Sequence, residues 1–377
     1  MMNCTDVSKC FICGSQRNVQ ILNKPEVRLW SNEGDSESMP SYPCILLQCE
    51  TCGHVFEPMS PALDRMLHDV YESEHAQAST SLGYGNWGLC RLQSLFDKFE
   101  IEAHESALDI GCADGHLLKE LRKKGVKVLT GIEPSLAEGG IVDGIMFIKG
   151  YVHKDFKLSQ HYDMVFASNV FEHVRDINSL MDFCAKHLNP SGKLYFTVPN
   201  AERSLTDGDP GLFIHQHIHH FTDASLDSLC QRHGLVRTEM TAATDTFYVT
   251  AALHNGDKCD ISNPFTQIHS LYEKRLDTIL ARVQKILSRG KVIVHGASNA
   301  LNNILSWLGR HYEFKLVDND DIKQGKCFFN KRVYAIDEID LAAHDKVLVV
   351  PIPYFDLIKE DYMRRGFQGE IMSILPR

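Results

Sequence analysis

The sequence predicts an α/β protein that has two parallel-sheet units and a small metal-binding segment at its N-terminus. Three observations indicate this class. Two Cys-x-x-Cys-Gly pairs lie within the first 53 residues, and a strand–glycine turn–helix pattern begins near residue 106 and again near residue 291. A chain of 377 residues is also long enough for more than one hydrophobic core. We therefore predict three segments, 1–70, 71–260 and 261–377.

The composition and charge of the chain indicate which kinds of binding partner are not expected to be its main ones. With 44% hydrophobic and 23% charged residues, the chain has the composition of a globular protein rather than a disordered one. The formal net charge of −10 argues against nucleic acid as the main partner. The sequence contains no run of about 18 apolar residues, so no membrane-spanning helix is predicted. The N-terminus MMNCTDVSKC has no apolar signal core, which predicts a cytoplasmic location. The oligomeric state is left open.

The N-terminal cysteines are spaced as metal ligands. CFICG and CETCG are both Cys-x-x-Cys pairs followed by glycine, and two such knuckles supply the four thiolates of a closed tetrahedral zinc site. Such a site is structural because it leaves no position for a substrate. VQILNKPEVRLW and PCILLQC, between the pairs, are predicted as ribbon strands. The alternatives are two unrelated pairs of reduced thiols, or a ligand drawn from Cys4, Cys44 or His54. The predicted ligands are Cys10, Cys13, Cys49 and Cys52.

The central segment contains a predicted nucleotide-binding turn. In SALDIGCADGHLLKELRKKG, a buried strand leads into a glycine loop, and the helix that follows ends at Gly125. Gly111 and Gly115 allow the backbone to approach a ligand closely. VKVLTGIE is predicted as the next strand, and its terminal acid Glu133 follows Asp109 by 24 positions. An acid at about this distance reaches ribose hydroxyls in Rossmann-type sites.

The loop chemistry favours a cationic ligand over a phosphate. The pattern is Asp-x-Gly-x-x-x-Gly rather than Gly-x-Gly-x-x-Gly, and Asp109 and Asp114 surround it with negative charge. It resembles motif I of the class I S-adenosylmethionine (SAM) methyltransferases. HYDMVFASNVFEHV (161–174) looks like the fourth strand of that fold and its loop, and LNPSGKLYFTVPN (188–200) looks like the fifth strand, entered by a Pro-Ser-Gly turn.

This resemblance, which spans roughly residues 88–255, implies a set of SAM-binding residues. Asn169 and Phe171 would flank the methionine part, and Val152 and His153 would lie near the adenine. The alternative is a Rossmann-like domain that has lost its ligand. The full implied set is Asp109, Gly111, Cys112, Ala113, Gly115, Glu133, Pro134, Val152, His153, Ser168, Asn169 and Phe171.

The C-terminal third predicts a second Rossmann-like unit. HGLVRTEMTAATDTFYVTAAL is predicted to complete the central sheet with two strands, and ISNPF to form a linker. An amphipathic helix ending at Gly290 precedes KVIVHGASNALNNILSWLG, which repeats the strand–glycine turn–helix pattern. Gly-x-Gly-x-x-Gly is missing, so no nicotinamide cofactor is predicted. The HGASN turn is predicted either to bind a phosphate or sugar of the substrate or only to pack.

The order of the three segments resembles that of the sugar C-methyltransferases, which act on nucleotide-linked 4-keto-deoxysugars. The resemblance covers nearly the whole chain, and HGASNALNNILSWL and VDNDDIKQGK are similar to the C-terminal domain of that family. It implies a structural zinc, SAM as methyl donor and a nucleotide sugar as the small-molecule substrate.

Four histidines in GLFIHQHIHHFT (211–222) mark the predicted catalytic segment. In the resembled family this place carries a Tyr-His-Glu-His run, which here becomes Ile214, His215, Gln216 and His217. The resemblance implies a catalytic set of His217 as base, Gln216 as a polarising donor and His215. Gln216 cannot act as a base, whereas a histidine, with an intrinsic pKa of about 6.5, can take a proton at neutral pH.

Several alternatives stay open for this segment. His215 with His217, or His217 with His219, would share a face of a strand and could bind a metal ion, but no carboxylate is evidently placed to join them. The histidines could also form only the rim of the site. Tyr71 or Tyr84 could supply an active-site tyrosine, and GYGNWG could form a lid or a surface loop. Because Ile214 and Gln216 replace the tyrosine and the glutamate of the resembled family, two other functions stay open. The protein could be an O- or N-methyltransferase, or a non-catalytic protein that binds SAM or a nucleotide sugar.

Overall fold

The structure is a computed structural model that describes residues 9–29, 39–61, 63, 65, 67, 86–101, 104–214, 216–243, 245–254, 267–309 and 311–375. His215, Cys4, Tyr71, Tyr84 and the ISNPF segment, all singled out in the sequence, lie outside these residues. Among the helices of the described part, none is both long and apolar enough to cross a membrane.

Strands and helices alternate through most of the described chain. The strands are β1 (Asn18–Arg28), β2 (Ser41–Cys49), β3 (Val55–Phe56), β4 (Ser106–Ile110), β5 (Val128–Glu133), β6 (Gly140–Val142), β7 (Ile145–Lys149), β8 (Tyr162–Ser168), β9 (Leu188–Pro199), β10 (His219–His220), β11 (Leu235–Ala242), β12 (Thr246–Leu253), β13 (Val292–His295), β14 (Lys315–Val317), β15 (Cys327–Phe328), β16 (Lys331–Tyr334), β17 (Lys346–Val349) and β18 (Glu370–Ser373). The helices are α1 (Asn86–Phe99), α2 (His116–Lys123), α3 (Ile177–Lys186), α4 (Ala201–Asp207), α5 (Asp223–Arg232), α6 (Tyr272–Leu287), α7 (Asn299–Leu308) and α8 (Phe355–Arg364).

The central sheet has eight strands in the order β11-β12-β9-β8-β4-β5-β7-β6. The strands β7, β5, β4, β8 and β9 run parallel, and β12 joins antiparallel to β9. The chain moves outward from β4 through β5 to β7 and then returns to place β8 on the other side of β4. Such a reversal opens a crevice at the carboxyl ends of the strands, where ligands bind in open α/β sheets.

The Pro-Ser-Gly stretch, which was expected to be a turn before the fifth strand, lies within the bounds of β9 but interrupts its regular pairing. Leu188 pairs with Tyr162 and Lys193 with Met164, so residues 189–192 lie between the two pairs. The pairing of β9 with β8 shifts register between Tyr162 and Met164, so the extra residues form an irregularity within the strand. A Cβ at Gly192 would lie 2.8 Å from the carbonyl oxygen of Tyr162, so glycine is required for this close approach.

The N-terminal sheet lies between the other two. Its strand order is β1-β2-β3-β10, so the short strand of the histidine segment pairs with the N-terminal segment. Ile21, Leu22 and Leu46 share a core with the C-terminal unit, while Ile12 and Phe56 belong to the core of the central unit. The N-terminal segment therefore joins both larger units through apolar contacts.

The C-terminal unit is built on a six-stranded sheet in the order β15-β16-β14-β13-β17-β18. Five of its strands, β16, β14, β13, β17 and β18, are parallel, as expected for a Rossmann-like arrangement, and the edge strand β15 pairs antiparallel with β16. After β13, the left-handed Gly296 (φ +110°) opens the turn, and Ser298 caps α7 by accepting a hydrogen bond from the Leu301 N–H. A Cβ at Gly296 would lie 2.4 Å from Pro351, so the turn packs tightly against the loop after β17.

Asparagines of α7 hold the loop that precedes the histidine segment. Asn303, which is fully buried, donates to the carbonyl oxygens of Pro210 (2.8 Å) and Phe213 (2.7 Å). Asn299 donates to the same Phe213 carbonyl at 2.7 Å. The HGASNALNN stretch therefore contacts the protein itself through these amides, while binding of a phosphate or sugar by this turn stays a prediction from the sequence.

We expect Asn303→Ala to lower the free energy of unfolding by about 1–3 kcal/mol, because two buried carbonyl oxygens, of Pro210 and Phe213, lose a donor. Urea denaturation followed by circular dichroism measures the change. Asn319→Ala, at an exposed position of the same unit, is the control and should alter stability by under about 0.5 kcal/mol. Equal stability of both variants would show that the amide contacts add nothing.

Candidate functional site

A cavity of about 1030 Å³ lies at the carboxyl ends of β4, β5 and β8. This volume matches the upper end of the range for small-molecule sites. The central unit forms most of its wall, and the C-terminal unit contributes Ile352, Pro353 and Leu375. The cavity thus lies where the two larger units meet.

The glycine loop after β4 forms one end of the cavity. The Gly111 N–H donates to the Ile132 carbonyl oxygen at 2.8 Å, which ties the loop to the neighbouring strand. Gly111 (φ +74°), Ala113 (φ +46°) and Gly115 (φ +76°) all have left-handed backbones. A Cβ at Gly111 would lie 2.6 Å from Val170, and one at Gly115 would lie 2.5 Å from Phe147. Both glycines are therefore required by conformation and by space.

Glu133 connects this loop to the end of β5. One carboxylate oxygen accepts a hydrogen bond from the Ala113 N–H at 3.1 Å, and the other accepts from the N–H (2.9 Å) and hydroxyl (2.7 Å) of Ser135. The side chain borders the cavity although it is mostly buried. Burial, and then the charge of Glu133, hold the pKa of the Asp109 carboxyl well above its usual range. The loop end of the cavity therefore carries acidic groups, which suit a ligand with hydroxyls and positive charge.

Half of the predicted SAM-binding residues border the cavity. Phe171 does not: it is fully buried and packs against Phe196, with the ring centroids 5.0 Å apart. Its side chain thus belongs to the core and does not border the cavity. The bordering residues are Gly111, Glu133, Pro134, Val152, Ser168 and Asn169, whereas Asp109, Cys112, Ala113, Gly115, His153 and Phe171 lie outside the wall.

The predicted strand through the histidine segment is wrong in its first half. The His217 N–H donates to the Ile214 carbonyl oxygen at 2.8 Å, so the chain turns here, and β10 begins only at His219. The turn sends His217 and Gln216 to the cavity, whereas His219 is buried. His217 and His219 therefore do not share a face, and the metal pair suggested for them is excluded.

His219 and His54 instead form a buried pair beneath the site. The His219 Nε2–H donates to the Val174 carbonyl oxygen (2.9 Å), so its Nδ1 accepts from His54 Nε2 (2.9 Å). Burial lowers the pKa of His219 to about 4 and that of His220 to about 3. Both imidazoles are therefore neutral at pH 7, and the pair connects the second cysteine knuckle to the cavity floor.

Two residues passed over in the sequence lie against His217. Glu172 and His173 follow β8 in a short 3₁₀ helix, and each offers a ligand atom within 4.8 Å of the other and of one on His217. The His173 and His217 rings meet edge to face with centroids 4.8 Å apart. An acid–histidine pair directly after a buried parallel strand is a signal that the sequence contained, since that strand end borders the ligand crevice.

Hydrogen bonds fix the orientation of this cluster. The Asn169 amide donates to Glu172 Oε1 at 2.8 Å, and Asn169 Oδ1 accepts from the Thr197 hydroxyl at 3.0 Å. The His173 Nδ1–H donates to the Gln216 carbonyl oxygen at 2.9 Å. Asn169 has a left-handed backbone (φ +54°), which is uncommon for a residue other than glycine. The strained position and the shared hydrogen bonds indicate a cluster held in one arrangement.

The four predicted metal-binding cysteines lie together, away from the cavity. The Sγ atoms of Cys10 and Cys52 are 3.6 Å apart, and those of Cys13 and Cys49 are 3.5 Å apart. A tetrahedron with Zn–S distances of about 2.3 Å has edges of about 3.8 Å, so the arrangement fits a zinc ion after small adjustments. Gly14 closes the first knuckle through its N–H to the Cys10 carbonyl oxygen. Hydrogen bonds within the cluster lower the pKa of Cys13 to about 7.

Comparison with known proteins assigns the central segment. Residues 85–239 match the family model described as "Methyltransferase domain". Among curated relatives, a ubiquinone biosynthesis O-methyltransferase of Serratia proteamaculans (strain 568) is 29% identical over 125 residues, 30% of this chain and 48% of its own. The C-methyltransferase NovU of Streptomyces niveus is 20% identical over 246 residues, 61% of this chain and 56% of its own. The chain spans about half the length of these relatives.

Solved structures also resemble part of the chain. The 1,6-didemethyltoxoflavin-N1-methyltransferase of Burkholderia thailandensis, with bound S-adenosylhomocysteine, is 14% identical with a TM-score of 0.38 and covers 54% of this chain and 96% of its own. The family model, and not this structural likeness, identifies a methyltransferase domain in residues 85–239. The loop with Gly111 and Glu133 lies inside the matched residues, so the SAM-binding turn expected from the sequence lies in that domain.

We expect Glu133→Ala to weaken SAM binding by about tenfold or more, because the loop loses its acceptor and the ribose loses a carboxylate partner. Isothermal titration calorimetry with SAM measures the affinity. Glu138→Ala removes an exposed carboxylate from the same region and should bind SAM as the unaltered protein does. Unchanged affinity in Glu133→Ala would remove this residue from the binding site.

Proposed function

We propose that this protein is a SAM-dependent methyltransferase that acts on a nucleotide-linked 4-keto-deoxysugar or a similar polar metabolite, with carbon as the methyl acceptor. One observation carries the proposal: a single cavity has the glycine loop and Glu133 at one end and Gln216, His217 and Glu172 at the other. The methyltransferase domain supplies the donor end, and the likeness of the segment order to the sugar C-methyltransferases supports the acceptor class.

The donor end fits SAM by its chemistry. Glu133 offers carboxylate oxygens at the cavity wall, and the Gly111 turn allows close backbone approach. Asp109 adds acidity behind the loop. SAM supplies an electrophilic methyl group on a sulfonium. The protein must hold the acceptor in line with that methyl group.

At the acceptor end, His217 is placed to take a proton. Carbon methylation requires loss of a proton next to the ketone: its C–H electron pair forms the new C–C bond, and the S–CH3 bond breaks. The proton passes to the His217 imidazole, whose ordinary pKa near ~6.5 suits a base at neutral pH. Gln216 borders the same space and can donate a hydrogen bond to the developing oxyanion. His215, the third predicted catalytic residue, stays a prediction from the sequence.

The C-terminal unit is proposed to help shape the substrate site. Ile352, Pro353 and Leu375 close the cavity from that side, and α7 fixes the loop before His217. The domain boundaries 1–70, 71–260 and 261–377, the cytoplasmic location and the exclusion of nucleic-acid and membrane partners also stay predictions from the sequence.

Transfer of a carbon-13-labelled methyl from SAM to a panel of nucleotide sugars that includes 4-keto forms tests the function by NMR. We expect a new signal in the C–CH3 range. His217→Ala should lower the rate about 10²–10⁴-fold while it retains SAM binding, because only the proton acceptor is lost. His161→Ala, at an exposed histidine outside the cavity, is the matched control.

The outcomes separate three functions. A methoxy signal would favour an O-methyltransferase, which is the second candidate because Gln216 replaces the glutamate of the resembled run and one relative is named as an O-methyltransferase. Saturable SAM binding without methylation of any acceptor would favour a non-catalytic binding protein. Normal turnover by His217→Ala would remove this histidine from catalysis.

We also propose that Cys10, Cys13, Cys49 and Cys52 bind a structural zinc ion. Zinc would crosslink the two knuckles and stabilise the N-terminal sheet on which β10 pairs. Elemental analysis should find one zinc per chain, and Cys49→Ser should lower both the zinc content and the midpoint of thermal unfolding. Cys327→Ser, which alters an exposed thiol, should change neither. Folded protein without zinc would refute this assignment.

A further inference from the structure

We propose that Glu172, His173 and His217 form a binding site for a divalent transition-metal ion at the acceptor end of the cavity. All three side chains border the cavity, and their ligand atoms lie within 4.8 Å of one another. Two imidazole nitrogens and one carboxylate oxygen on one side of an ion leave further coordination positions open toward the cavity. This site is separate from the four cysteines, which do not border the cavity.

The tautomer of His173 directs a lone pair into the cluster. Because a carbonyl oxygen only accepts, the contact with the Gln216 oxygen at 2.9 Å places the proton of His173 on Nδ1. Nε2 is therefore the unprotonated nitrogen of the neutral ring, and it lies 3.8 Å from Glu172 Oε1. That distance is too long for a hydrogen bond. A histidine that donates one N–H to a backbone carbonyl and presents its other nitrogen is the usual arrangement of a metal ligand.

The separation of the two atoms also suits an ion. Ligand atoms about 2.1 Å from one ion lie roughly 3.0–3.4 Å apart in octahedral or tetrahedral geometry. Glu172 Oε1 and His173 Nε2 would therefore approach by under an ångström when an ion binds between them. His217 comes from a different segment, and its ring already meets that of His173 edge to face.

Supporting residues orient the carboxylate. The side chain of Glu172 is fully buried, and the Asn169 amide donates to its Oε1 at 2.8 Å. Thr197 in turn donates to Asn169 Oδ1. A buried carboxylate is stabilised when a cation lies beside it, so an ion between Glu172 and the histidines would offset its loss of hydration. Hydrogen bonds of this kind to ligand side chains tune metal affinity.

The ligand set indicates the type of ion. Imidazole nitrogens select transition metals over Ca²⁺ and Mg²⁺, and the lack of a thiolate favours Mn²⁺ or Fe²⁺ over soft ions. At the open positions, the ion would bind an oxygen of the acceptor and stabilise negative charge that develops there. This use rests on the proposed function. With an ion bound, the lone pair of His217 would be engaged by the metal, so its two roles exclude each other and the base role belongs to the ion-free protein. The ion would instead lower the pKa of the acceptor, which would release its proton to solvent.

Binding of Mn²⁺ alone to the full chain, after dialysis against EDTA, tests the site without any assay of turnover. Loss of the six-line electron paramagnetic resonance signal of free Mn²⁺ should report one saturable site per chain. His173→Ala and His217→Ala should each weaken binding by about tenfold or more. His161→Ala should bind as the unaltered protein does, because it removes an exposed histidine outside the cavity.

A second measurement keeps the test independent of how the variants fold. Electron spin echo envelope modulation on unaltered protein loaded with Mn²⁺ should detect nitrogen-14 couplings from histidine. Missing saturable binding, missing nitrogen couplings, or equal affinity in both histidine variants and the control would overturn the site. Mn²⁺ binding without methyl transfer would refute only the proposed function, whereas methyl transfer without Mn²⁺ binding would refute only the metal site.

Discussion

The contact between the amides of α7 and the loop at residues 209–214 determines where the acceptor end of the cavity lies. Asn303 is fully buried, and its side-chain amide donates to the main-chain oxygens of Pro210 and Phe213. The Asn299 amide also donates to the Phe213 carbonyl. A loop of this kind carries many polar backbone groups, which a neighbouring structure must satisfy. Because the partner is the C-terminal unit, the position of His217 depends on a part of the chain far away in sequence.

The N-terminal segment also helps to position the histidine segment, from the opposite side of the cavity floor. β10 pairs with β3, and His54 donates to His219 directly beneath the cavity floor. Burial keeps these rings neutral, so they act as oriented dipoles rather than as charges. The cysteine cluster thus holds a segment that supports the site without touching a ligand. The turn at Ile214–His217 then separates the cavity-facing imidazole from the buried ones.

Electrostatics differs between the two ends of the cavity. At the loop end, acids are engaged with backbone N–H groups and a serine, which prepares oxygens for hydroxyls and a cationic ligand. At the other end, Glu172 lies among imidazoles and an amide. An acid and a histidine that are oriented toward each other can bind a metal ion or accept a proton. Both functions are needed beside the methyl acceptor rather than beside the methyl donor.

The sequence by itself determined the local chemistry that depends on neighbours along the chain. The Cys-x-x-Cys-Gly knuckles, the glycine turn before α2 and the acid at the end of β5 all follow from short-range geometry, and the structure brings their predicted members together. Alternating strand and helix patterns likewise gave the central and C-terminal sheets. Each knuckle and the glycine turn with its acid depend on residues within about 30 positions, whereas the meeting of the two knuckles joins residues 36 and 42 positions apart.

Only the tertiary structure decided which side chains meet. Glu172 and His217 are 45 positions apart, and nothing in either segment shows that a turn at Ile214 brings them side by side. The alternation of histidines predicted a strand, but buried contacts of Phe213 and the amides of α7 fix a turn instead. The place of Phe171 in the core and the contact of Asn299 with the Phe213 carbonyl also depend on distant partners. Such contacts depend on the three-dimensional neighbours of a residue, which periodicity along one chain does not encode.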